Sequence, residues 1–313
     1  MNTGNISRTP IYKLFGLGYS DLYIKRDDLF PFSFGGNKAR KAELFFEDID
    51  SGEYDCVVTY GSGSSNHCRV ISNMCCQRGM ECYVISPQET DEMTFNKQMA
   101  QMFGAKRIIV PLDKVHNTIE RKIMELREFG KKPYFIEGGG HGNIGTEAYV
   151  RCYQEIKNYE QESGIYFDYI FFASGTGTTH AGLVCGQLLN KDERKIVGIS
   201  IARKNPRGRD IVIESVRTYM GDMAEEEAIQ KATLFIDDYT GEGYGRNNEE
   251  IVQTIKYLIS YCGVPLDPTY TGKAFNGMNK YTQKNECRDK TILFIHTGGT
   301  PLFFDALLKS VEV

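Results

Sequence analysis

The segment "YIFFASGTGTTHAGLVCGQLL" (169–189) decides the fold, because a short apolar run is followed by a loop of glycine, serine and threonine and then by a helix-period run. Short runs rich in Tyr, Ile and Phe are typical of buried strands, and the second run has the length and spacing of a helix. Two more segments repeat this design: "VVTYGSGSSNHCRVISNMC" (57–75) and "LFIHTGGTPLFFDALL" (293–308). Strand, loop and helix in this order predict a parallel sheet covered by helices.

The same alternation extends over the whole chain. Strands are expected at 21–25, 55–60, 81–86, 106–110, 132–136, 167–173, 195–201, 232–237 and 291–296. Long helices are expected between them, at 66–79, 92–103, 115–129, 144–162, 179–190, 247–262 and 271–284. We therefore predict an α/β protein built from parallel layers.

The composition narrows the class of protein. The chain has 313 residues, and 37 Lys and Arg against 41 Asp and Glu give a formal net charge of −4. The basic residues form no long run, so no nucleic-acid partner is expected. No window approaches ~18 uninterrupted apolar residues, and the first residues lack an apolar segment, so we expect a cytoplasmic protein without a membrane span. Nine cysteines without a CxxC pair predict reduced thiols.

The glycine-rich loops are candidate ligand sites. In open parallel sheets, ligands bind beyond the carboxyl ends of the strands, where backbone N–H groups and helix N-termini face them. The loop at 174–179 is the best candidate for a phosphate, because Gly175 and Gly177 allow close approach and the other four residues carry hydroxyl groups: Ser174, Thr176, Thr178 and Thr179. The loop lacks the third glycine of a dinucleotide fingerprint, and an ordinary tight turn is the alternative.

The segment "SFGGNKARKAELF" (33–45) places cations at the wrong end of a helix. Two glycines lead into the helix start, and Lys38, Arg40 and Lys41 crowd its first turn. Because a helix N-terminus carries a partial positive charge, each cation there costs about 0.3–1 kcal/mol unless an anion or a charge-removing group lies nearby. Arg40 and Lys41 are expected to meet acidic side chains or solvent. The alternative for Lys38 is an ordinary solvated cation.

Seven motifs, in chain order, resemble those of one enzyme family: "KRDDL" (25–29), "GGNKARKAE" (35–43), "SSNHCR" (64–69), "SGTGTTHAGL" (174–183), "GEGYG" (241–245), "LDPTYTGKA" (266–274) and "HTGG" (296–299). They are similar to the motif series of the 1-aminocyclopropane-1-carboxylate deaminase and D-cysteine desulfhydrase family. The resemblance implies a pyridoxal-phosphate enzyme of fold type II, similar in architecture to tryptophan synthase β, with two open, twisted, mostly parallel sheets. It also implies a homodimer, and a smaller domain at 46–150 inserted into a larger one formed by 1–45 and 151–313.

The resemblance assigns residues to the cofactor. Lys38 is implied to bond covalently to the aldehyde of pyridoxal phosphate, which removes a free ammonium group from the helix start. Burial and nearby positive charge are expected to lower the pKa of Lys38 from its reference of about 10.4. The phosphate is implied to lie on residues 174–179, and the phenolic oxygen on Asn66.

The resemblance also assigns residues to a small amino-acid substrate. Ser65, Asn66 and His67 are implied to receive its carboxylate at a helix N-terminus. Ser65 has a further nucleophile or proton-transfer role in the ring-opening branch, and a plain N-cap is compatible with it. His67 is either an acid or base or a hydrogen-bonding residue. Tyr244 and Tyr270 are implied to face the substrate, with core packing as the alternative.

Two positions favour the desulfhydrase branch of the family. Thr271 and Thr297 stand where the ring-opening deaminases carry a glutamate beside the pyridine nitrogen and a leucine. A carboxylate there makes the ring a stronger electron acceptor, whereas in β-elimination a good leaving group takes the electrons directly. We therefore expect β-elimination from a small D-cysteine-like amino acid, with Lys38 or Tyr270 removing the α-proton and a keto acid and ammonia as products. A deaminase or racemase of another small amino acid, and a non-catalytic binding homologue, are the alternatives.

Four further features lead to separate expectations. The substrate loop reads "GSGSSNH" (61–67), where the desulfhydrases read "GGxQSNH", so the pocket chemistry is expected to differ. The segment "ARKNPRGRD" (202–210) brings four cations that either form a solvated loop or serve an acidic substrate. Asp27 and Asp28 are expected to be structural ties to basic groups. The scattered histidines offer no spacing for a metal.

Overall fold

The structure is a computed structural model that describes residues 9–88, 93–241 and 248–311. The strands in these residues are β1 (Ile11–Leu14), β2 (Asp21–Lys25), β3 (Cys56–Tyr60), β4 (Glu81–Pro87), β5 (Lys106–Val110), β6 (Pro133–Ile136), β7 (Tyr169–Ser174), β8 (Lys195–Ser200), β9 (Leu234–Ile236) and β10 (Thr291–Ile295). The helices are α1 (Asn37–Ser51), α2 (Asn66–Gln77), α3 (Phe95–Met102), α4 (Val115–Glu128), α5 (Asn143–Ser163), α6 (Thr178–Asn190), α7 (Arg207–Met220), α8 (Glu226–Ala232), α9 (Glu249–Cys262), α10 (Thr271–Lys284) and α11 (Thr300–Val311). Short 3-10 turns lie at Asp27–Leu29, Leu112–Lys114 and Gly221–Met223.

These strands form two sheets in which parallel pairing dominates. The larger sheet has the order β1-β2-β10-β7-β8-β9, and its antiparallel pair is β1 with β2. The smaller sheet has the order β5-β4-β3-β6 and is parallel throughout. Parallel strands need long crossover connections, and helices supply them here. The predicted class of fold, two mostly parallel sheets with flanking helices, is confirmed.

The smaller sheet comes from one continuous part of the chain, between β3 and β6. The larger sheet combines β1 and β2, which precede that part, with β7 to β10, which follow it. An inserted domain produces this pattern. The boundaries at 46 and 150 themselves stay a prediction.

Helices cover both faces of each sheet. Successive side chains of a strand point to opposite faces, so Phe172 packs with α5, α6 and α7 on one face of the larger sheet while Phe171 packs with α9 and α10 on the other. On the smaller sheet, α1 and α2 cover one face and α4 covers the other. The strands are therefore buried on both sides, which is why they read as nearly continuous apolar runs in the sequence.

The sequence located the long elements well. All nine expected strands are present with ends within two residues, and the seven expected helices are present with ends within three. The sequence did not indicate the short edge strand β1 or the helices α7 and α8, whereas α11 is the helix expected at the end of the segment 293–308. Among the helices in the described residues, none combines the length and apolarity needed to cross a membrane.

Candidate active site

A cavity of about 430 Å³ lies where the carboxyl ends of five parallel strands meet. Its walls follow the ends of β3 and β6 in the smaller sheet and of β7, β8 and β10 in the larger one. Ten of the residues proposed from the sequence line it: Lys38, Ser65, Asn66, His67, Gly175, Thr176, Gly177, Thr179, Tyr270 and Thr297. This is the edge of a parallel sheet at which ligands are expected to bind.

The start of α1 is packed directly against the loop after β10. Gly36, the N-cap of α1, has a φ of +88°, and a Cβ added to it would lie 2.8 Å from the carbonyl oxygen of Thr297. A Cβ added to Gly298 would in turn lie 2.6 Å from the Cα of Gly36. The N–H group of Asn37 donates to the Thr297 carbonyl at 2.9 Å. Only glycine tolerates both this φ and this approach, so the pair of glycines brings the Lys38 segment next to Thr297.

Lys38 has the protonation behaviour that a reactive amine needs. It lines the cavity and is partly buried. Burial lowers the pKa of its ammonium group to about 8. The expected direction of the shift is confirmed, and burial is its cause. A useful fraction of the amine is therefore unprotonated at mildly alkaline pH, and this is the form that attacks a carbonyl carbon.

A buried and balanced cluster of charges accounts for Arg40. Its guanidinium pairs with Asp27 at 2.9 Å and with Glu155 at 2.5 Å, and Lys25 pairs with Glu155 at 2.6 Å. Burial alone would raise the pKa of the Asp27 carboxyl, but the charges of Arg40 and Lys25 outweigh it and hold that pKa well below its usual range. The expectation that the two aspartates are ties to basic groups is confirmed: Asp27 with Arg40, and Asp28 with Arg26.

Lys41 differs from Arg40, because no carboxylate pairs with it among the described residues. It is 1% exposed, and its Nζ lies 3.4 Å from the carbonyl oxygen of Gly139. Burial, and then the charge of Lys38, hold the pKa of Lys41 well below its ordinary value. The expectation of an acidic partner or solvent for Lys41 is wrong. Gly139 contacts Thr176 closely enough that a Cβ would lie 2.8 Å away, so this buried amine lies behind the loop at 174–179.

The loop after β7 has the geometry of an anion site. Gly177 is the N-cap of α6 and has a φ of +105°, which favours glycine. Since glycine has no side chain to cap the helix, the N–H groups of the first turn are available to another acceptor and carry the partial positive charge of the helix. The side-chain amide of Asn37 donates to Thr179 Oγ1 at 3.1 Å, which ties the start of α1 to this loop.

Two residues of this loop do not line the cavity. Ser174 Oγ lies 3.3 Å from Nδ1 of His180, and Thr178 Oγ1 lies 2.9 Å from Nδ1 of His141. Their hydroxyl groups therefore shape the loop from behind. A role of these two residues in cofactor binding stays a prediction.

The start of α2 forms the opposite wall. Ser65 is the N-cap, and its Oγ accepts from the N–H group of Cys68 at 3.3 Å. A Cβ on Gly61 would lie 2.7 Å from Cys68 Sγ and 3.1 Å from Ser65 Oγ, so glycine is needed there. The N-cap role is confirmed. It leaves room for the second role, because a hydroxyl that accepts one bond still has a proton to donate.

The hydrogen bonds of His67 fix its tautomer. Thr59 Oγ1 lies 2.8 Å from His67 Nε2 and donates its only proton to the carbonyl oxygen of Ile136 at 2.7 Å. His67 Nε2 must therefore carry the hydrogen, and Nδ1 is the unprotonated nitrogen. Burial, and then the charges of Lys38 and Lys41, lower the pKa of His67 to about 3. Of the two roles left open by the sequence, this favours a neutral hydrogen-bonding residue.

Asp267 organises the start of α10. Its carboxylate accepts from the N–H groups of Tyr270 and Thr271 at 2.8 and 3.0 Å and from the Thr271 hydroxyl at 2.8 Å. Tyr270 lines the cavity, whereas Thr271 is fully buried and does not. Thr297 does line the cavity. The roles of both threonines in cofactor binding stay predictions. Tyr244 lies outside the described residues.

The sequence did not single out two further cavity residues, Tyr60 and Arg203. Tyr60 ends β3, and a Cβ on Gly138 would lie 2.6 Å from its ring, so glycine makes room for it. Arg203 is half-buried and donates from Nη1 to the carbonyl oxygen of Gly175 at 3.1 Å. The sequence could have indicated Arg203, because it belongs to the cationic segment 202–210. It gave no indication of Tyr60, which follows an apolar run and has the pattern of a strand residue.

The residues present fit a cofactor with one anionic group and one carbonyl group. The amine of Lys38 suits the carbonyl, and the N-terminus of α6 with Lys41 behind it suits the anion. Glycines at 61, 138, 139, 175, 177 and 298 leave space that side chains would fill. The fold and the site thus define a two-sheet α/β enzyme that holds a small phosphorylated carbonyl compound between its sheets.

Comparison with known proteins gives the family. Residues 3–298 match the family described as pyridoxal-phosphate dependent enzyme, so the chain belongs to that family and its cofactor is pyridoxal phosphate. The chain is 33% identical to the D-cysteine desulfhydrase of Serratia proteamaculans (strain 568), over 95% of this chain and 93% of that protein. The D-cysteine desulfhydrase of Yersinia enterocolitica is also 33% identical, over 95% of this chain and 92% of its own. A crystal structure of an ACC deaminase homologue has a TM-score of 0.84 and 32% identity, with 97% of this chain and 94% of that one covered.

Proposed function

We propose that this enzyme is a lyase that removes a β-substituent from a small amino acid resembling D-cysteine. The products are a keto acid, ammonia and the expelled group. One observation carries the proposal. The amine of Lys38 shares the cavity with the hydroxyl of Thr297, and among the described residues that line the cavity none is Asp or Glu. A wall without a carboxylate suits elimination, in which the leaving group takes the electrons, better than ring opening.

We propose that the phosphate of the cofactor is held by the first turn of α6, with Thr176 and Thr179, and that its charge favours the protonated form of the buried Lys41 behind the loop. A helix N-terminus with a nearby cation is a ready site for this group. Thr297 would hold the ring nitrogen, and Asn66 would hold the phenolic oxygen. When bound, pyridoxal phosphate withdraws electrons from the α-carbon of the amino acid.

The substrate carboxylate lies at the start of α2, where Ser65 and Asn66 line the cavity at the positive end of the helix. The amine of Lys38 or the phenol of Tyr270 takes the α-proton, and the β-substituent departs with its bonding electron pair. Proton transfer of this kind supplies about 10²–10⁴-fold in rate. Neutral His67 holds the wall through Thr59 without taking part in the transfer.

The test of this function is spectroscopic and chemical. Purified protein reconstituted with pyridoxal phosphate is expected to turn yellow, and borohydride is expected to fix the cofactor on Lys38. D- and L-amino acids with thiol or other β-substituents are then screened for keto acid. The variant Lys38→Ala should lose covalent attachment and turnover, and the matched control is Lys256→Ala, at an exposed lysine of α9. A wild-type protein that stays colourless, or a Lys38→Ala variant that still releases keto acid, would contradict the proposal.

A second candidate reaction is deamination or racemisation of another small amino acid. The likeness to the ACC deaminase homologue, at 32% identity, favours keeping it. The same screen separates the reactions, because a racemase changes optical rotation without releasing ammonia, and a ring-opening deaminase releases ammonia from 1-aminocyclopropane-1-carboxylate. Neither outcome is expected if a β-leaving group is required.

We further propose that the domains divide at 46–150 against 1–45 and 151–313, and that the enzyme is a cytoplasmic homodimer. All nine cysteines are free thiols, which suits a reducing compartment. Limited proteolysis locates the domain boundaries, and sedimentation of the reconstituted enzyme gives its mass. A monomer at micromolar concentration would refute the dimer.

A further inference from the structure

Arg69 is a buried cation next to the candidate substrate wall. It is 1% exposed, and no carboxylate pairs with it among the described residues. Its Nη1 donates to the side-chain oxygens of Asn66 at 3.1 Å and Asn96 at 2.9 Å, while its Nε is buried without a partner in that part of the chain. Burial lowers the pKa of Arg69 to about 9. Burying a charge against two neutral amides costs free energy of folding. We therefore looked to function for the reason that Arg69 lies here.

The three side chains have only one consistent arrangement of donors and acceptors. A guanidinium group only donates, so the atoms that face Arg69 must be the oxygens of Asn66 and Asn96. The NH₂ group of Asn96 then points to the carbonyl oxygen of Ser64 at 2.7 Å and to Asn66 Oδ1 at 3.0 Å, and both of these are acceptors. Asn66 Oδ1 therefore accepts two hydrogen bonds, and the NH₂ group of Asn66 is directed away from this network.

We propose that Arg69 and Asn96 are positioning residues that hold the NH₂ group of Asn66 toward the cavity and, through the unneutralised charge of Arg69, make this point of the wall a site for an anionic oxygen. This inference rests on the proposed function. It extends that function because it gives a role to Arg69 and Asn96, which do not line the cavity. Asn66 belongs to α2 and Asn96 to α3, so the orientation of one amide depends on the packing of a second helix.

The anionic oxygen has two possible sources with the same chemistry. One is the phenolic oxygen of pyridoxal phosphate, and the other is the carboxylate of the amino acid. Both accept a hydrogen bond from an amide, and both gain from the charge of Arg69 and from the N-terminus of α2. The expected effect on the affinity of the correct source is about 10- to 100-fold.

The test uses three variants and two measurements on the enzyme reconstituted with pyridoxal phosphate. Asn96→Asp supplies a carboxylate that neutralises Arg69 and repels the Asn66 oxygen, so the amide of Asn66 should turn. Arg69→Met removes the charge, and Arg69→Lys retains it. The control is Arg78→Met, because Arg78 is the C-cap of the same helix and is paired with Asp50 at 2.7 Å. Titration of apoprotein with pyridoxal phosphate gives its Kd and absorption spectrum, and steady-state kinetics give KM and kcat.

If the oxygen belongs to the cofactor, Asn96→Asp and Arg69→Met raise the Kd for pyridoxal phosphate and shift its absorption maximum. If it belongs to the substrate, the Kd and the spectrum stay unchanged, and KM rises about 10- to 100-fold with kcat retained. In both cases Arg69→Lys should lie within a few-fold of the wild type. Folded variants that match the wild type in Kd, spectrum and KM overturn this proposal alone. A wild-type protein that takes up no pyridoxal phosphate overturns the proposed function and this proposal together.

Discussion

Replacing Lys41 by methionine should have opposite effects on the empty and the loaded protein. The side-chain nitrogen of Lys41 is buried, and the carbonyl oxygen of Gly139 at 3.4 Å is a poor partner for it. Removal of a poorly satisfied buried polar group relieves a desolvation cost of about 1–3 kcal/mol, so the apoprotein should gain up to that much free energy of unfolding. Methionine is unbranched and similar in length, so it should fill the same space.

The loaded enzyme should lose affinity. The attraction between the charge of Lys41, behind the loop, and the cofactor phosphate contributes about 1.5–3 kcal/mol in a partly buried site, which corresponds to a Kd for pyridoxal phosphate that is roughly 10- to 150-fold higher in Lys41→Met. Urea unfolding of the apoprotein measures the first effect, and titration with pyridoxal phosphate followed by absorbance measures the second.

The control for stability is Lys273→Met. Lys273 is equally buried, but its Nζ donates to the carbonyl oxygens of Ile201 at 3.1 Å and Thr240 at 2.9 Å. Its loss breaks these two hydrogen bonds to buried residues, so this variant should be destabilised by about 1–3 kcal/mol. The reasoning fails if Lys41→Met destabilises the apoprotein as Lys273→Met does, or if it leaves the affinity for pyridoxal phosphate unchanged.

Three other predictions follow from buried or cavity-lining charges. Asp27→Asn leaves the cations Lys25 and Arg40 with one carboxylate between them, so urea unfolding should show a loss of about 3–5 kcal/mol. Because the pKa of Asp27 is depressed in the folded state, its contribution is complete above the ordinary carboxyl pKa of about 4 and is lost as the pH falls below it, so the difference between wild type and variant should shrink in acid. Arg203→Met should raise KM about 10-fold for substrates with an acidic β-substituent and leave neutral ones unchanged. Equal effects on both substrate classes, or the same effect from exposed Arg207→Met, would refute this role.

Much of the site was predictable because it is local in sequence. Each glycine-rich loop follows its strand and precedes its helix within about a dozen residues, so the order of residue types fixes which groups lie at the helix start. Lys38 and Thr176 are examples, and both line the cavity. The motif series then indicated the family and the cofactor, and the comparisons confirmed both.

The partners of the charged residues were not predictable. Arg40 and Lys41 are neighbours with the same sign of charge, yet one meets Glu155 on α5 and the other meets no carboxylate among the described residues. The sequence has 41 acidic residues and gives no means of choosing among them. Charge compensation depends on distances of a few ångströms between distant segments, and packing alone sets these.

The sequence by itself determined the alternation of strands and helices, the two-sided burial of the strands and the loops that face the ligand. These features follow from side-chain periodicity and from the backbone freedom of glycine, which act within a few residues. Only the tertiary structure decided that Tyr60 and Arg203 line the cavity, and that Asn96 orients the amide of Asn66 from another helix. Hydrogen-bond direction is settled by which donors and acceptors the fold brings together, and no local pattern in the sequence records it.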